Sequence, residues 1–271
     1  MSFDDPKVSR RWLALREPAD AAARANELVE RLPATSRHVI HDLGSGTGSM
    51  GRWLAPLLRG PQRWVLHDRD AELLEVADVP SVTVEARQSD ITRLDAQDLA
   101  GATLITASAL LDMLSEEELA RLVSACAGAG CPVLLTLTVV GRVDLTPADP
   151  LDRRVADAFN AHQRRMTERG RLLGPDAVDA AIEGFGQRSG ELVVRPSPWR
   201  LGPSHADLTA EWFRGWVGAA CEQEPELAGE ADAYSDRRLA QARAGQLAVT
   251  VDHADLLALP SQSMGNRAES A

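Results

Sequence analysis

Three glycines at alternating positions form the part of the sequence with the clearest chemical meaning. Gly44, Gly46 and Gly48 follow a short apolar stretch, and Asp42 stands two residues before the first of them. Glycine reaches positive φ and has no Cβ, so a ligand can approach the backbone of such a loop closely. The carboxylate of Asp42 stands where the anionic pyrophosphate of a dinucleotide would otherwise lie. It suits a ligand with a cationic amino group instead.

Acidic residues also follow the next two predicted strands. Asp68 comes after the stretch 63–67, and Asp90 comes after the stretch 81–86. Together with Asp42 they place one carboxylate at the end of each of three successive strands. In chain order these acids suit an amino acid group, a ribose diol and an adenine amine.

Alternating strands and helices must position these groups. Apolar stretches predict strands at 38–43, 63–67, 81–86, 102–107 and 131–140, with helices at 50–58, at 70–77 and after a capping box at 115–118. The last strand is apolar throughout, which suits burial on both faces of a parallel sheet. This alternation predicts an α/β fold with a doubly wound parallel sheet.

The remaining segments flank this α/β half. Residues 8–32 predict two short helices interrupted by Pro18. After residue 140 the pattern predicts a helix at 149–169, another from Pro175, and strands at 191–195 and 247–252. We expect one domain over 1–271, with helices over 1–35, the α/β half at 36–140, further helices and the final strands at 141–259, and a flexible tail at 260–271.

The glycines leave a second interpretation open. From Gly46 to Gly51 the sequence also satisfies the pattern GxGxxG, which is typical of enzymes that bind a dinucleotide. A nicotinamide-dependent oxidoreductase is therefore an alternative, although Asp42 argues against an anionic pyrophosphate at this loop.

With this loop and these acids, the chain resembles the class I S-adenosyl-L-methionine-dependent methyltransferases, well over 38–140 and more loosely up to 259. The resemblance implies S-adenosyl-L-methionine as cofactor. It also implies a Rossmann-like, mostly parallel seven-stranded sheet with an antiparallel last strand and helices on both faces. The implied cofactor-binding residues are Asp42, Gly44, Ser45, Gly46 and Gly48 near the methionine part, Asp68 at the ribose with Arg69 next to it, Asp90 and Ile91 at the adenine, and Ser108 and Ala109 at the sulfonium.

One departure from related enzymes bears on the methyl acceptor. After the fourth strand the chain reads Thr-Ala-Ser-Ala-Leu-Leu-Asp at 106–112. Relatives that methylate amino groups of nucleobases or of protein glutamine carry an Asn-Pro-Pro-Tyr type of segment there. The resemblance is thus closer to bacterial enzymes that act on small molecules, in which helices form a lid over the substrate. It implies an N-terminal helical lid at 1–35, a cofactor-binding half at 36–140, and substrate-side helices and final strands at 141–259.

Two residues are candidates for catalysis. Methyl transfer from a sulfonium requires that the acceptor is aligned, that water is excluded and, where needed, that a proton is removed. His162 lies on the apolar stripe of the predicted helix at 149–169, and Asp112 lies just past the fourth strand. The alternatives are a hydrogen-bonded core histidine and an acid at the start of a helix.

Four further residues are candidates for substrate binding. Asn160 and Gln163 share a helical turn with His162, while Arg142 and Trp199 follow the fifth and sixth strands. Arg142 could pair with a substrate carboxylate, but Asp144 and Asp149 are equally available as partners, and Trp199 could simply pack in the core.

Composition limits the classes of partner. The chain has 29 basic and 40 acidic residues among 271, a net charge of -11, which disfavours binding to a nucleic-acid backbone. Lys7 is the only lysine, so a lysine Schiff base is excluded after residue 7. Three sparse cysteines without metal-binding spacing fit a reducing compartment and indicate no metal site.

These observations predict a cytoplasmic enzyme with a small-molecule substrate and no membrane or nucleic-acid partner. The sequence does not determine its oligomeric state. Because no general base is unambiguous, the alternative is a protein that binds the cofactor without transferring its methyl group.

Overall fold

The computed structural model describes residues 8–261. Residues 1–7 of the predicted lid and 262–271 of the predicted tail lie outside the described residues. The helices are α1 (Arg10–Ala23), α2 (Asn26–Val29), α3 (Ser49–Leu54), α4 (Ala71–Leu74), α5 (Glu116–Gly128), α6 (Asp152–Gln163), α7 (Ala177–Gly186), α8 (Ala206–Gln223) and α9 (Ala228–Arg243). The strands are β1 (His38–Leu43), β2 (Gln62–Asp68), β3 (Thr83–Gln88), β4 (Leu104–Ser108), β5 (Val133–Thr146), β6 (Met166–Thr167), β7 (Gly170–Arg171), β8 (Glu191–Pro196), β9 (Trp199–Leu201) and β10 (Ala248–Leu259).

The main sheet has the strand order β3-β2-β1-β4-β5-β10-β8, and the short β9 also pairs with β10. Strands β1 to β5 pair in parallel, whereas β10 is antiparallel to both β5 and β8. The predicted α/β sheet with an antiparallel last strand is confirmed. The strand order reverses direction between β1 and β4, which opens a crevice at their carboxyl ends.

The N-terminal segment differs from its prediction at Pro18. One helix, α1, continues through Pro18 instead of ending there. Proline removes a single backbone hydrogen bond from a helix. Here Trp12, Leu15 and Ala19 pack into the core cluster beside β9, and this packing holds the helix together across the proline.

The predicted helix at 149–169 is too long. Helix α6 ends at Gln163, and Met166, within the predicted helix, is 73% exposed. Arg164 Nε donates to Asp176 Oδ2 at 2.7 Å. Gly170 adopts a φ of +111°, which closes the β6–β7 hairpin. The ion pair and the glycine turn replace two further helical turns.

Strands β5 and β10 are longer than predicted. Beyond residue 139, β5 alternates between exposed and less exposed positions, and it pairs with β10 up to Thr146. The prediction followed only the continuous apolar stretch, so it missed this half-exposed extension.

Within residues 8–261, none of the helices is both long and apolar enough to cross a membrane. This range also contains no group of three or more His, Cys, Asp or Glu side chains placed to hold a metal ion.

Candidate functional site

A cavity of about 800 Å³ opens at the carboxyl ends of β1 to β4 and extends over β5, β9 and β10. Every residue predicted to bind the cofactor lines it except Gly48. These lining residues are Asp42, Gly44, Ser45, Gly46, Asp68, Arg69, Asp90, Ile91, Ser108 and Ala109. A volume of this size is in the upper part of the range for small-molecule sites.

The glycine loop has the backbone that its sequence predicts. Gly44 and Gly46 adopt φ values of +67° and +54°, and a Cβ on Gly44 would lie 3.0 Å from Leu110 Cδ1. The amide of Gly46 donates to Asp68 Oδ2 at 2.7 Å. The carboxylate at the end of β2 thus fixes the loop that follows β1.

Gly48 has a different place from the other two glycines. It precedes α3 with a φ of +87°, and a Cβ there would lie 2.9 Å from the carbonyl oxygen of Asp78. Its role is the turn into α3 and the close approach of a neighbouring backbone.

We expect Gly48→Ala to lower the free energy of unfolding by about 1–3 kcal/mol, because alanine is strained at positive φ and its Cβ meets a backbone atom. Urea unfolding would measure the loss. Gly218→Ala is the matched control, since Gly218 lies in α8 and nothing lies within 4 Å of the added Cβ. Equal unfolding free energies for the two variants would contradict the strain at Gly48.

Asp42 is buried at the end of β1 with one carboxylate oxygen unpaired. Its Oδ1 accepts from Thr106 Oγ1 at 2.7 Å, whereas Oδ2 has no hydrogen-bond partner among the described residues. Burial raises the pKa of Asp42 to about 7, although the Thr106 hydrogen bond and the charge of Arg24 oppose the shift. An unpaired buried carboxylate oxygen is costly unless a ligand supplies its partner.

Arg24 is a buried charge that the sequence prediction missed. It is 3% exposed, its Nη2 donates to Ser108 Oγ at 3.0 Å, and its guanidinium lies 5.2 Å from the ring centre of Trp53. Its Nε and Nη1 have no partner among the described residues, and burial lowers its pKa. No local signal distinguished Arg24 from the other arginines, since its burial depends on β4 and α3.

The acids after β2 and β3 are held by their own turns. Asp68 Oδ1 accepts from the amide of Asp70 at 2.9 Å. Asp90 Oδ1 accepts from the amide and the hydroxyl of Thr92 at 3.0 and 2.7 Å. Burial acts to raise the pKa of Asp90, but these bonds and Arg93 outweigh it, so the pKa is lowered. Asp90 therefore stays charged where it lines the cavity.

The segment after β4 has an unusual backbone. Ser108 Oγ lies 3.0 Å from both Arg24 Nη2 and Thr136 Oγ1, and Ala109 adopts a φ of +50°. Positive φ in a residue other than glycine persists only where the surroundings impose it, and such residues cluster at functional sites.

The predicted catalytic and substrate residues divide into two groups. Asp112, Gln163 and Trp199 line the cavity, and burial raises the pKa of Asp112. His162, Asn160 and Arg142 are not among the lining residues.

Each residue of the second group has a partner elsewhere. His162 Nε2 lies 3.1 Å from Glu222 Oε2, and Asn160 Nδ2 donates to the carbonyl of Gly141 at 2.7 Å. The side chain of Arg142 is 71% exposed and lies 3.0 Å from Asp144. The apolar stripe of the predicted helix led us to expect His162 at the site. In the structure, α6 presents Phe159 and Gln163 to the cavity instead.

Several lining residues were not predicted as site residues. Trp12, Arg16 and Asp20 come from α1, Trp212 and Trp216 from α8, and His253 from β10. In the sequence, Arg16 and Asp20 stand four residues apart, and Trp212 and Trp216 are also four residues apart. Their common position over β5 and β10 follows only from the tertiary fold.

No family model and no curated protein matches the sequence. Among solved structures, a candidate methyltransferase from Bacillus halodurans C-125 has 14% identity and a TM-score of 0.49, with 86% of this chain and 95% of that chain covered. The cyclopropane synthase MmaA2 of Mycobacterium tuberculosis also has 14% identity and a TM-score of 0.49, with 93% and 94% covered. Haemonchus contortus phosphoethanolamine N-methyltransferase 2, in complex with phosphomonomethylethanolamine and S-adenosylhomocysteine, has 15% identity and a TM-score of 0.45, with 95% and 62% covered. These similarities are too distant to carry a functional argument.

Proposed function

We propose that this protein is an S-adenosyl-L-methionine-dependent methyltransferase that acts on a small molecule. The observation that carries the proposal is the unpaired Oδ2 of buried Asp42, which lines the cavity beside the glycine loop. A ligand with an ammonium group would supply the missing partner and stabilise the charged carboxylate. An anionic pyrophosphate would face the same carboxylate unfavourably.

The other lining residues fit the remaining parts of the same cofactor. Gly44 and Gly46 leave the loop backbone open, Asp68 offers its carboxylate to the ribose hydroxyls, and Asp90 with Ile91 flanks the adenine. Ser108 and Ala109 line the sulfonium side, and Ser45 and Arg69 complete the proposed cofactor contacts. Asp68 already accepts from Gly46 and Asp70, and a carboxylate has lone pairs left for a diol.

When bound, the cofactor supplies a methyl group on a positively charged sulfur. The protein's part is to hold the acceptor in line and to exclude water. The carboxylate of Asp112 is the group we propose to take up a proton, because burial moves its pKa upward from the usual range of aspartate. Gln163 and Trp199 are proposed to contact the acceptor. His162 remains a candidate for catalysis only if its side chain gives up the contact with Glu222.

The overall organisation is proposed on the same basis. Trp12 and Arg16 of α1 line the cavity, which supports a lid within 1–35 over the site. The strands after residue 141 join the sheet of the cofactor-binding half, which supports one domain. Three free cysteines and the net charge of -11 support a cytoplasmic protein without a nucleic-acid partner.

The proposal is tested by calorimetric titration with S-adenosylhomocysteine, the expected product. We expect saturable binding, and we expect NADH to give no heat in the same cell. Binding of NADH but not of S-adenosylhomocysteine would favour the oxidoreductase instead. Binding of S-adenosylhomocysteine without turnover on a broad panel of acceptors would favour the protein that only binds the cofactor.

We expect Asp68→Asn to weaken binding of S-adenosylhomocysteine by about tenfold to a hundredfold, because a charged hydrogen-bond acceptor becomes a neutral amide. The same calorimetric titration measures the change. Asp179→Asn is the matched control, since Asp179 is exposed on α7 away from the cavity. An unchanged affinity in the Asp68 variant would refute the ribose assignment.

A further inference from the structure

The part of the cavity next to β5 and β10 has aromatic walls. We call it the aromatic chamber and define it by Trp12, Phe159, Trp199, Trp212, Trp216 and Val251. Trp212 and Trp216 stack with ring centres 5.2 Å apart, and Trp12 meets Trp199 edge to face at 6.3 Å. Flat rings arranged in this way favour a flat, apolar ligand.

The charges of the chamber are already paired. Arg16 Nε and Nη2 bind both carboxylate oxygens of Asp20, at 2.9 and 3.2 Å, and Asp20 also accepts from Trp199 Nε1 at 2.9 Å. The Arg16 guanidinium lies 5.0 Å from the ring centre of Trp199, so the protein's own cation occupies that aromatic face. A ligand cation would meet Arg16, and a ligand anion would meet an arginine that Asp20 has neutralised.

The titratable group of β10 in this part of the cavity adds no fixed charge. Burial lowers the pKa of His253 to about 3, with Arg16 acting in the same direction and a backbone hydrogen bond with Val251 opposing it, so its imidazole is neutral at physiological pH. Because Arg16 and Asp20 also pair with each other, the chamber favours a ligand without net charge.

Three residues that line the cavity carry buried polar atoms without partners. Trp216 is 1% exposed and His253 is 5% exposed, yet Trp216 Nε1 and His253 Nδ1 have no partner among the described residues. The same holds for Gln163 Oε1. Native proteins leave few such atoms unpaired, so their clustering at one cavity indicates a ligand that pairs with them. A hydroxyl group can both accept from an indole N–H and donate to an imidazole nitrogen.

We propose, on the basis of the methyltransferase function above, that the aromatic chamber binds the methyl acceptor and that this acceptor is an uncharged aromatic molecule carrying hydroxyl groups. Its ring packs among the tryptophans. A hydroxyl oxygen accepts from Trp216 Nε1, and a hydroxyl hydrogen is donated to Nδ1 of His253. Gln163 offers a further polar contact from α6.

Four naphthalene probes test this by calorimetry, each with and without S-adenosylhomocysteine: 1-naphthol, naphthalene, 1-naphthoate and 1-naphthylmethylammonium. We expect 1-naphthol to bind about tenfold more tightly than each of the other probes. It is the only one of the four that is both uncharged and able to form hydrogen bonds with the unpaired polar atoms. Trp216→Phe and His253→Phe should each reduce the affinity for 1-naphthol about fivefold to tenfold and leave that for naphthalene unchanged. Trp64→Phe, at a buried tryptophan outside the cavity, is the matched control.

Gln163→Leu is a further variant in case the buried substitutions impair folding, because Gln163 is only partly buried. Naphthalene or a charged probe that binds as tightly as 1-naphthol would overturn the inference. So would unchanged 1-naphthol affinity in all three variants. If S-adenosylhomocysteine binds and all four probes fail, the inference falls and the proposed function stands. If the probes behave as expected and S-adenosylhomocysteine fails to bind, the proposed function falls and the ligand class of the chamber stands.

Discussion

Asp42→Asn is expected to weaken binding of S-adenosylhomocysteine by about a hundredfold to a thousandfold while the protein stays as stable as the wild type or becomes more stable. The affinity falls because a buried ammonium group would lose its charged partner, and breaking a buried pair costs about 3–5 kcal/mol. The stability does not fall, because the wild-type protein buries a carboxylate with one unpaired oxygen. Thr106 can keep its hydrogen bond to the amide oxygen of asparagine.

The pH dependence gives this prediction a second readout. The folded protein holds the proton of Asp42 up to about pH 7, whereas the unfolded chain releases it near 3.8, the ordinary pKa of an aspartate side chain. Between these two values the unfolded state binds fewer protons, so the contribution of Asp42 to the free energy of unfolding falls as pH rises. Asparagine removes this contribution, and the stability advantage of the variant should therefore grow from pH 4 to pH 8.

Ligand binding should show the opposite trend in the wild type. A proton on Asp42 competes with the ammonium of the ligand, so the affinity should rise with pH up to about 7 and then level off. Calorimetry across this range in both proteins measures the difference, and Asp179→Asn again serves as the matched control. An asparagine variant with wild-type affinity, or one with the same pH dependence as the wild type, would contradict the assignment of Asp42 to the cationic group.

The common location of the residues predicted to bind the cofactor could be derived from the sequence because their signals are local. The strand before Gly44 and the acids at 68 and 90 each stand a few residues from the element that positions them. Parallel pairing then brings their ends to one edge of the sheet. Ten of the eleven predicted cofactor residues line one cavity for this reason. Gly48 does not, because the same pattern of glycines also serves the turn into α3.

The location of the residues predicted to bind the substrate was harder to derive because the contacts in that part of the fold join distant parts of the chain. Trp199 Nε1 donates to Asp20 across 179 residues, and this bond brings α1 to β9. Periodicity placed His162 on the inner face of its helix, but only the packing of α6 against α8 decides which residues reach the cavity. The helix through Pro18 shows the same rule, since tertiary packing outweighed a local helix breaker.

Asp255 provides the strongest example of such a long-range contact, and the sequence carried no signal for it. Its carboxylate is fully buried in β10 and accepts three hydrogen bonds. The donors are the amide of Ala25 at 2.8 Å, the amide of Leu137 at 2.8 Å and the hydroxyl of Ser197. One side chain thus joins the start of α2, the middle of β5 and the segment between β8 and β9.

Its position in the sheet explains why a carboxylate is needed. The pairing of β10 with β5 shifts its register between Ala254 and Leu256, so Asp255 lies at an irregularity of this ladder. Leu137 has a φ of +57° and lines the cavity. The side chain of Asp255 therefore binds an amide that the irregular ladder leaves without a strand partner, and it holds a wall of the site in place.

We expect Asp255→Ala to lower the free energy of unfolding by about 3–5 kcal/mol, because three buried donors lose their acceptor at once. A loss of this size is a large share of the stability of a typical domain, about 5–15 kcal/mol. Ser197→Ala should cost about 1 kcal/mol, since it removes only one of the three bonds. Urea unfolding followed by circular dichroism measures all the variants.

Asp252→Ala is the matched control on the same strand. Asp252 is partly exposed and lies 3.7 Å from Arg142, so its removal should change stability by less than about 1 kcal/mol. If Asp255→Ala does not fold, Asp255→Asn replaces it in the experiment. The amide oxygen of the asparagine can still accept a hydrogen bond, but its amide nitrogen must face a donor. The loss in the free energy of unfolding should therefore lie between those of Ser197→Ala and Asp255→Ala. A variant Asp255→Ala or Asp255→Asn that is as stable as Asp252→Ala would contradict this prediction. The hydrogen bonds of Asp255 to Ala25 and Leu137 would then not be what joins α2 and β5. The backbone conformation of Leu137 would result from packing alone.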